Sequence, residues 1–147
     1  MIYLEEKRDL FSVPDDYYLA QCISADLGMG KGIAVQFNKK FNMKNKLTIV
    51  YGNSTLKEWD SGNEGCCILM DKVFNLVTKR NYWSKPTYET LMKALLDMKK
   101  HIEAVGANKV AMPMIGCGLD RLEWAKVSQL IQNVFTGMQL TILVCKL

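Results

Sequence analysis

Two side chains and two short glycine loops carry the chemistry this chain could perform. Lys79 ends the apolar run Val73 to Thr78, and Asp120 stands at the mouth of Gly116-Cys117-Gly118. An amine attacks only after losing its proton, and burial at a strand end favours the neutral form. A carboxylate can act as base, acid or orienter of a partner. Spacing alone fits a plainer reading equally well: a surface lysine, and an aspartate capping a helix start. Cys117 has the type of a nucleophile. No histidine lies near it in sequence to act as its base, so a small side chain packed in a tight loop is the better reading.

The loops are Gly28-Met29-Gly30-Lys31-Gly32, before a helix expected from Ile33, and Gly116-Cys117-Gly118, before a helix expected from Arg121. Glycine permits positive φ and close approach of a ligand to the backbone. A helix N-terminus offers free N–H groups and the positive end of a dipole, which suits phosphate. Two such loops at the carboxyl ends of neighbouring strands would face one crevice and could hold a diphosphate. Neither matches a P-loop or the G-x-G-x-x-G fingerprint, and each could be simply a tight strand-to-helix turn.

The elements that must position these groups are legible in outline. Strands are expected from Ile2, over Tyr17–Ile23, over Lys109–Met112 and over Leu140–Cys145. Cys66–Met70 and Val73–Thr78, joined by Asp71-Lys72, read as a hairpin. Helices are expected over Ile33–Phe41, from a first turn that holds Pro86 with Ser84 as a possible cap, and along the face Trp124, Val127, Leu130, Ile131 and Val134. Leu91, Leu95, Met98, Ile102 and Val105 form a helical seam that Gly106 should stop. Residues 42–58 stay open, because Leu47–Tyr51 has strand propensity between helical flanks. Ser12–Asp16 and Trp59–Gly65 read as surface connections. Alternating strands and helices make the class α/β with a mixed sheet between helical layers.

The 147 residues suit one domain spanning 1–147, and 49% hydrophobic with 23% charged residues excludes a disordered or low-complexity chain. No apolar run is long enough to cross a bilayer, and Glu5 to Asp9 stand where a signal peptide needs an apolar core. The net charge of +4 permits an anionic ligand without requiring one. The basic run Asn38 to Lys46 is most simply a solvated face. Five cysteines with no C-x-x-C pair, and one histidine, argue against a disulfide framework and a zinc site. Reduced thiols in the cytoplasm, no metal and no cofactor are the expectation.

Leu19–Asp26, Met29–Phe37, Leu76–Arg80, Lys85–Glu89 and Met112–Leu122 together resemble the macrodomain family, in particular its terminal ADP-ribose protein glycohydrolase branch. The blocks match in order over nearly the whole chain. The resemblance implies a three-layer α/β/α macrodomain that holds ADP-ribose in a cleft. It implies that Asp9 reads the adenine amino group, with the Leu10 backbone beside it. It implies that Ser24, Met29, Gly30, Gly32, Ile33, Thr78, Pro113, Ile115, Gly116, Cys117, Gly118 and Leu119 line the cleft. Lys79 would attack the anomeric carbon of the distal ribose, and Asp120 would resolve the lysyl intermediate. Arg8 replaces a usual glycine, Cys145 an aromatic residue, residues 42–63 look longer and the Asp71-Lys72 hairpin shorter.

The expected activity is hydrolysis of ester-linked mono-ADP-ribose on acidic side chains, extending to O-acetyl-ADP-ribose. The partners are ADP-ribose and ADP-ribosylated protein, with ADP-ribosylated nucleic acid an alternative. A monomer without membrane association is expected. A binding module that cleaves nothing, a hydrolase acting on ADP-ribosylated DNA and an ADP-ribose-1″-phosphate phosphatase are the competing readings. Presence of both Lys79 and Asp120 favours the enzyme, since a reader needs neither.

Overall fold

The inner strands of this chain are buried on both faces and read as near-continuous apolar runs, whereas Ile2–Lys7, at the sheet edge, is mostly exposed. The computed structural model describes residues 1–51 and 65–147. In chain order it contains β1 (Ile2–Lys7), a 3-10 turn (Leu10–Ser12), β2 (Tyr18–Ser24), α1 (Ile33–Phe41), α2 (Met43–Tyr51), β3 (Cys66–Met70) and β4 (Val73–Lys79). α3 (Tyr88–Val105), β5 (Lys109–Met112), α4 (Trp124–Phe135) and β6 (Thr141–Lys146) complete it. The six strands form one sheet in the order β1-β6-β5-β2-β4-β3. Only β3 runs antiparallel, against β4; the other pairs are parallel. The expected α/β class and mixed sheet are therefore present.

Two cores flank the sheet. On one face α3 and α4 bury Leu91, Leu95, Met98, Val127 and Ile131 against Phe74, Leu76 and Val110. On the other, α1 and α2 bury Phe37, Met43 and Leu47 against Ile23, Val73 and Val77. The connections after β2 and β5, which are neighbours in the sheet, thus leave toward opposite faces. Such divergence marks the carboxyl ends of the strands as the place where α/β sheets bind ligands in a crevice.

Several local expectations are corrected. Ser84 does not cap α3. Thr87 does, accepting a bond from the Thr90 backbone while the Thr90 hydroxyl accepts one from Thr87 N–H. Pro86 therefore precedes the cap and is not in the first turn. Val105 leaves the seam at 46% exposure, because the helix ends there at left-handed Gly106. α4 begins at Trp124, three residues beyond Arg121, which has φ 63° and stays in the loop. Leu47–Tyr51 is helical, because Met43 and Leu47, one turn apart, both point into the core. The remainder of the open segment and the Trp59–Glu64 turn lie outside the described residues. Asp71 and Lys72 both have positive φ, the twist that suits a two-residue hairpin. No helix of the described residues is long and apolar enough to cross a membrane.

The reciprocal cap at Thr87 ties down the helix that follows the site. Thr87→Ala should lower stability by about 1 kcal/mol, the usual loss for a helix N-cap. Thr87→Ser should retain most of it. Urea denaturation of the three proteins checks both expectations.

Candidate functional site

All five mutually parallel strands point one way, so their following segments gather along one edge of the sheet. Asp9 follows β1, Ser24 ends β2 with the first glycine loop between it and Ile33 of α1, Lys79 ends β4 and Pro113 to Asp120 follow β5. From β1 to β4 there are four interstrand steps, which is about 19 Å at the usual strand spacing. An elongated ligand, not a compact one, is needed to reach from Asp9 to Lys79.

At the far end, the Lys79 Nζ donates to Asp120 Oδ1 at 2.7 Å, across 41 residues of sequence. Each side chain is only 15% exposed. The sheet itself aims the lysine. β2 and β4 pair regularly up to Ile23 and Val77, then Ser24 pairs with Lys79, so Thr78 is an extra residue in the ladder. Such an irregularity re-aims the side chain that follows it. The Thr78 hydroxyl is buried and meets no partner at hydrogen-bond geometry among the described residues.

Asp26 fixes the loop around this pair. Its carboxylate accepts from Ser24 Oγ at 2.6 Å and from Gly28 N–H at 3.0 Å, and its other oxygen accepts from Tyr82 N–H at 3.1 Å. Backbone bonds from Ala25 N–H to Lys79 C=O and from Asp26 N–H to Arg80 C=O add to the seam. Sequence reading did not assign Asp26 a role. The signal for it was present: Ser-x-Asp before a glycine is an Asx-type turn pattern.

The first glycine loop behaves as expected. Gly32 caps α1 at φ 64° with no side-chain bond, so the first N–H groups of a nine-residue helix face the crevice without a side-chain cap. Met29 is buried and anchored through its carbonyl by the Asn38 amide. Gly28 has no room for a side chain: a Cβ there would lie 2.9 Å from Tyr82 Cβ. Gly30 is exposed, with open space above it.

The second loop differs from expectation. It does not open directly into a helix, since α4 starts at Trp124. It closes on itself, with Leu122 N–H donating to Gly116 C=O at 2.8 Å and Gly116 at φ 73°. Asp120 therefore does not cap α4. The group beside it is Lys79. Leu119 crosses toward the first loop: a Cβ on Gly32 would lie 3.7 Å from its Cδ1. The two loops do face one another. Pro113, Ile115 and Cys117 belong to this loop, with Ile115 buried and Gly118 exposed.

Cys117 is a free thiol whose pKa burial raises, which argues against a nucleophile. Cys22, to which sequence reading assigned no part, is influenced by both Lys79 and Asp120. Burial pushes its thiol up to about 12, the Asp120 carboxylate pushes the same way, and Thr78, the Gly116 backbone and Lys79 pull against them. It is an inert thiol beside the pair. At the other end, Asp9 accepts from Phe11 N–H at 3.0 Å, and Leu10 is buried in the core. Asp9 also acts electrostatically on Cys145, which raises that thiol together with burial and Glu6, while Arg8 opposes.

Residues 22–131 match the family model for the Macro domain. The chain belongs to the macrodomain family. It is 41% identical over 140 residues, 94% of its length, to the human protein named ADP-ribose glycohydrolase OARD1, covering 87% of that protein. The macrodomain of Mycobacterium tuberculosis DarG superposes with TM-score 0.79 at 22% identity, covering 99% of this chain and 97% of that one. The macrodomain of Thermus aquaticus DarG gives 0.77 at 21% identity, covering 98% and 97%. These two likenesses concern the fold.

If Asp26 holds the seam, Asp26→Asn should weaken it modestly and Asp26→Ala more, by about 1–3 kcal/mol for a carboxylate that leaves several donors unpaired. Thermal melting of both variants measures this. Iodoacetamide at neutral pH should leave Cys22 unmodified in the folded protein, because its thiol ionises only near 12. Peptide mapping after labelling reads that outcome.

Proposed function

We propose that this macrodomain is an ADP-ribosyl glycohydrolase that binds ADP-ribose along the strand ends and releases it from a carboxylate acceptor. The observation that carries the reading is the shielded pair of Lys79 and Asp120, 2.7 Å apart, at one end of a crevice flanked by an uncapped helix N-terminus. The name of the human relative supports the activity. Asp9 takes the adenine end, the two glycine loops take the diphosphate and distal ribose, and Thr78 and Ser24 line the floor.

The chemistry follows from the pair. As an ammonium, Lys79 has no lone pair. Loss of one proton to solvent frees the amine to attack. The Nζ–C1″ bond forms as the C1″–O bond to the acceptor breaks, and the bonding electrons leave with the acceptor carboxylate. A carboxylate is a good leaving group, which favours ester-linked ADP-ribose on acidic side chains and O-acetyl-ADP-ribose. Asp120 takes a proton from the water that adds at C1″ as the Nζ–C1″ bond breaks, and the released amine regains a proton from Asp120. ADP-ribosylated protein is the partner this reading implies. Five cysteines outside any disulfide suit a reducing compartment, and we place the protein in the cytoplasm and take it as a monomer.

Free ADP-ribose should stabilise the fold by about 2.7 kcal/mol at a hundredfold excess over Kd. Calorimetric titration and a melting shift measure this, and no heat and no shift at millimolar ligand would remove the basis for the reading. Lys79→Ala should abolish turnover of an ester-linked substrate while ADP-ribose affinity stays within about tenfold, as a loss confined to the transition state requires. Full activity in that variant would exclude the lysine nucleophile. Asp9→Ala should weaken ADP-ribose by about 1–3 kcal/mol and leave ribose-5-phosphate unaffected.

A further inference from the structure

The end of the sheet away from Lys79 carries a cavity that chemistry at C1″ does not use. It holds about 200 Å³ between the starts of β2 and β4, the C-terminal end of α1 and the segment after β1. Its floor is Leu19 and Val73, buried register partners at the beginnings of β2 and β4. From Val73 to Lys79 the strand makes six steps, roughly 20 Å at about 3.3 Å per residue. The cavity is therefore separate from the pair of Lys79 and Asp120.

Its walls are aromatic and anchored. Phe11, Tyr17 and Phe41 line it, all half-buried. The Phe11 ring meets buried Phe37 at 5.0 Å between centroids and Phe41 at 6.4 Å, and its N–H is held by Asp9. Tyr17 N–H donates to Pro14 C=O at 3.1 Å, and Leu19 N–H donates to Lys72 C=O at 2.9 Å. The loop before β2 and the β3–β4 hairpin thus share one frame. An apolar cavity of roughly 150 Å³ takes a benzene ring, so this one takes a single ring with a short polar chain.

Asp15, Lys40, Asp71 and Lys72 stand at the exposed rim. Asp71 is already paired with Lys46. Lys72 donates to the Asp15 backbone carbonyl at 2.8 Å and lies over the Tyr18 ring. The other two side chains keep their charges unmatched. The Lys40 ammonium lies 5.2 Å from the centre of the Phe11 ring and forms no ion pair among the described residues. The Asp15 carboxylate forms none among them either.

We propose that this cavity binds a free aromatic amino acid. The ring enters between Phe11, Tyr17 and Phe41, where aromatic pairs gain from edge-to-face or offset contact. The α-carboxylate meets Lys40 and the α-ammonium meets Asp15. An aromatic acid would place its anion near Asp15 with no cation to offset it. An aromatic amine would do the reverse at Lys40. A phenylalanine side chain inside a peptide brings neither charge. The inference does not rest on the reaction assigned to the strand ends.

The test is a titration of the full chain, isotopically labelled, with L-phenylalanine, followed by amide chemical shifts. Shifts should concentrate in residues 11–19, 40–41 and 71–73. Phenylpropionate, phenethylamine, L-leucine and N-acetyl-phenylalanine amide should each bind at least fivefold more weakly. Lys40→Gln and Asp15→Asn should each weaken L-phenylalanine by about fivefold, the upper part of the range for an exposed ion pair. In Lys40→Gln, L-phenylalanine should lose its advantage over phenethylamine; in Asp15→Asn, it should lose its advantage over phenylpropionate. Both side chains are exposed, so melting temperatures should match wild type. Saturating ADP-ribose should not displace the amino acid. No shifts up to the solubility limit, shifts centred on Lys79, displacement by ADP-ribose, equal binding of the uncharged amide, or unchanged affinity in both variants would each overturn the proposal.

Discussion

The contact between the Lys79 ammonium and the Asp120 carboxylate is the constraint around which the rest of this fold is arranged. Charges largely removed from water are tolerated only with a partner at hydrogen-bond distance. Here the partners come from the end of β4 and from the loop after β5, segments 41 residues apart. Holding them together requires β2 between the two strands, the extra residue at Thr78 in the ladder, and a second loop closed by Leu122 on Gly116. Each is a feature of the backbone, and each acts on where one of the two charges points.

In the proposed reading the same loops serve ligand binding and chemistry. Asp26 binds its own loop and the Tyr82 backbone with one carboxylate, so the glycine loop cannot shift without moving the segment that follows Lys79. Gly28 allows the close contact with Tyr82 that this seam needs, and Gly32 gives α1 a start free of any side chain. The placement of the first glycine loop and that of the segment after Lys79 are thereby coupled through direct contacts. The inert Cys22 thiol beside the pair adds a neutral neighbour that does not compete for the proton.

Most of the frame was legible in the sequence because burial wrote it in long apolar runs. Val73 to Thr78, Lys109 to Met112 and the seam Leu91 to Ile102 became β4, β5 and α3 as expected. What escaped reading was set by contacts far apart in sequence. Leu47–Tyr51 has β-branched residues, yet Met43 and Leu47 filling the core under α1 made it helical. Arg121 could begin a helix locally, but the bond from Leu122 to Gly116 holds it in the loop. The glycine loops and the types of Lys79 and Asp120 were visible; their distance was not, since it depends on strand order. Asp26 was visible as a turn signal, while its bond to Tyr82 spans 56 residues and has no local mark.

The central claim is that Lys79 makes the bond to C1″ and Asp120 acts with it in completing turnover. Intact-protein mass spectrometry of Asp120→Ala, after exposure to an ester-linked ADP-ribosyl peptide, tests this directly. The account predicts a covalent ADP-ribose adduct that peptide mapping assigns to Lys79 and that is absent from the Lys79→Ala, Asp120→Ala double variant. An adduct on another residue, or one that persists in the double variant, would contradict it.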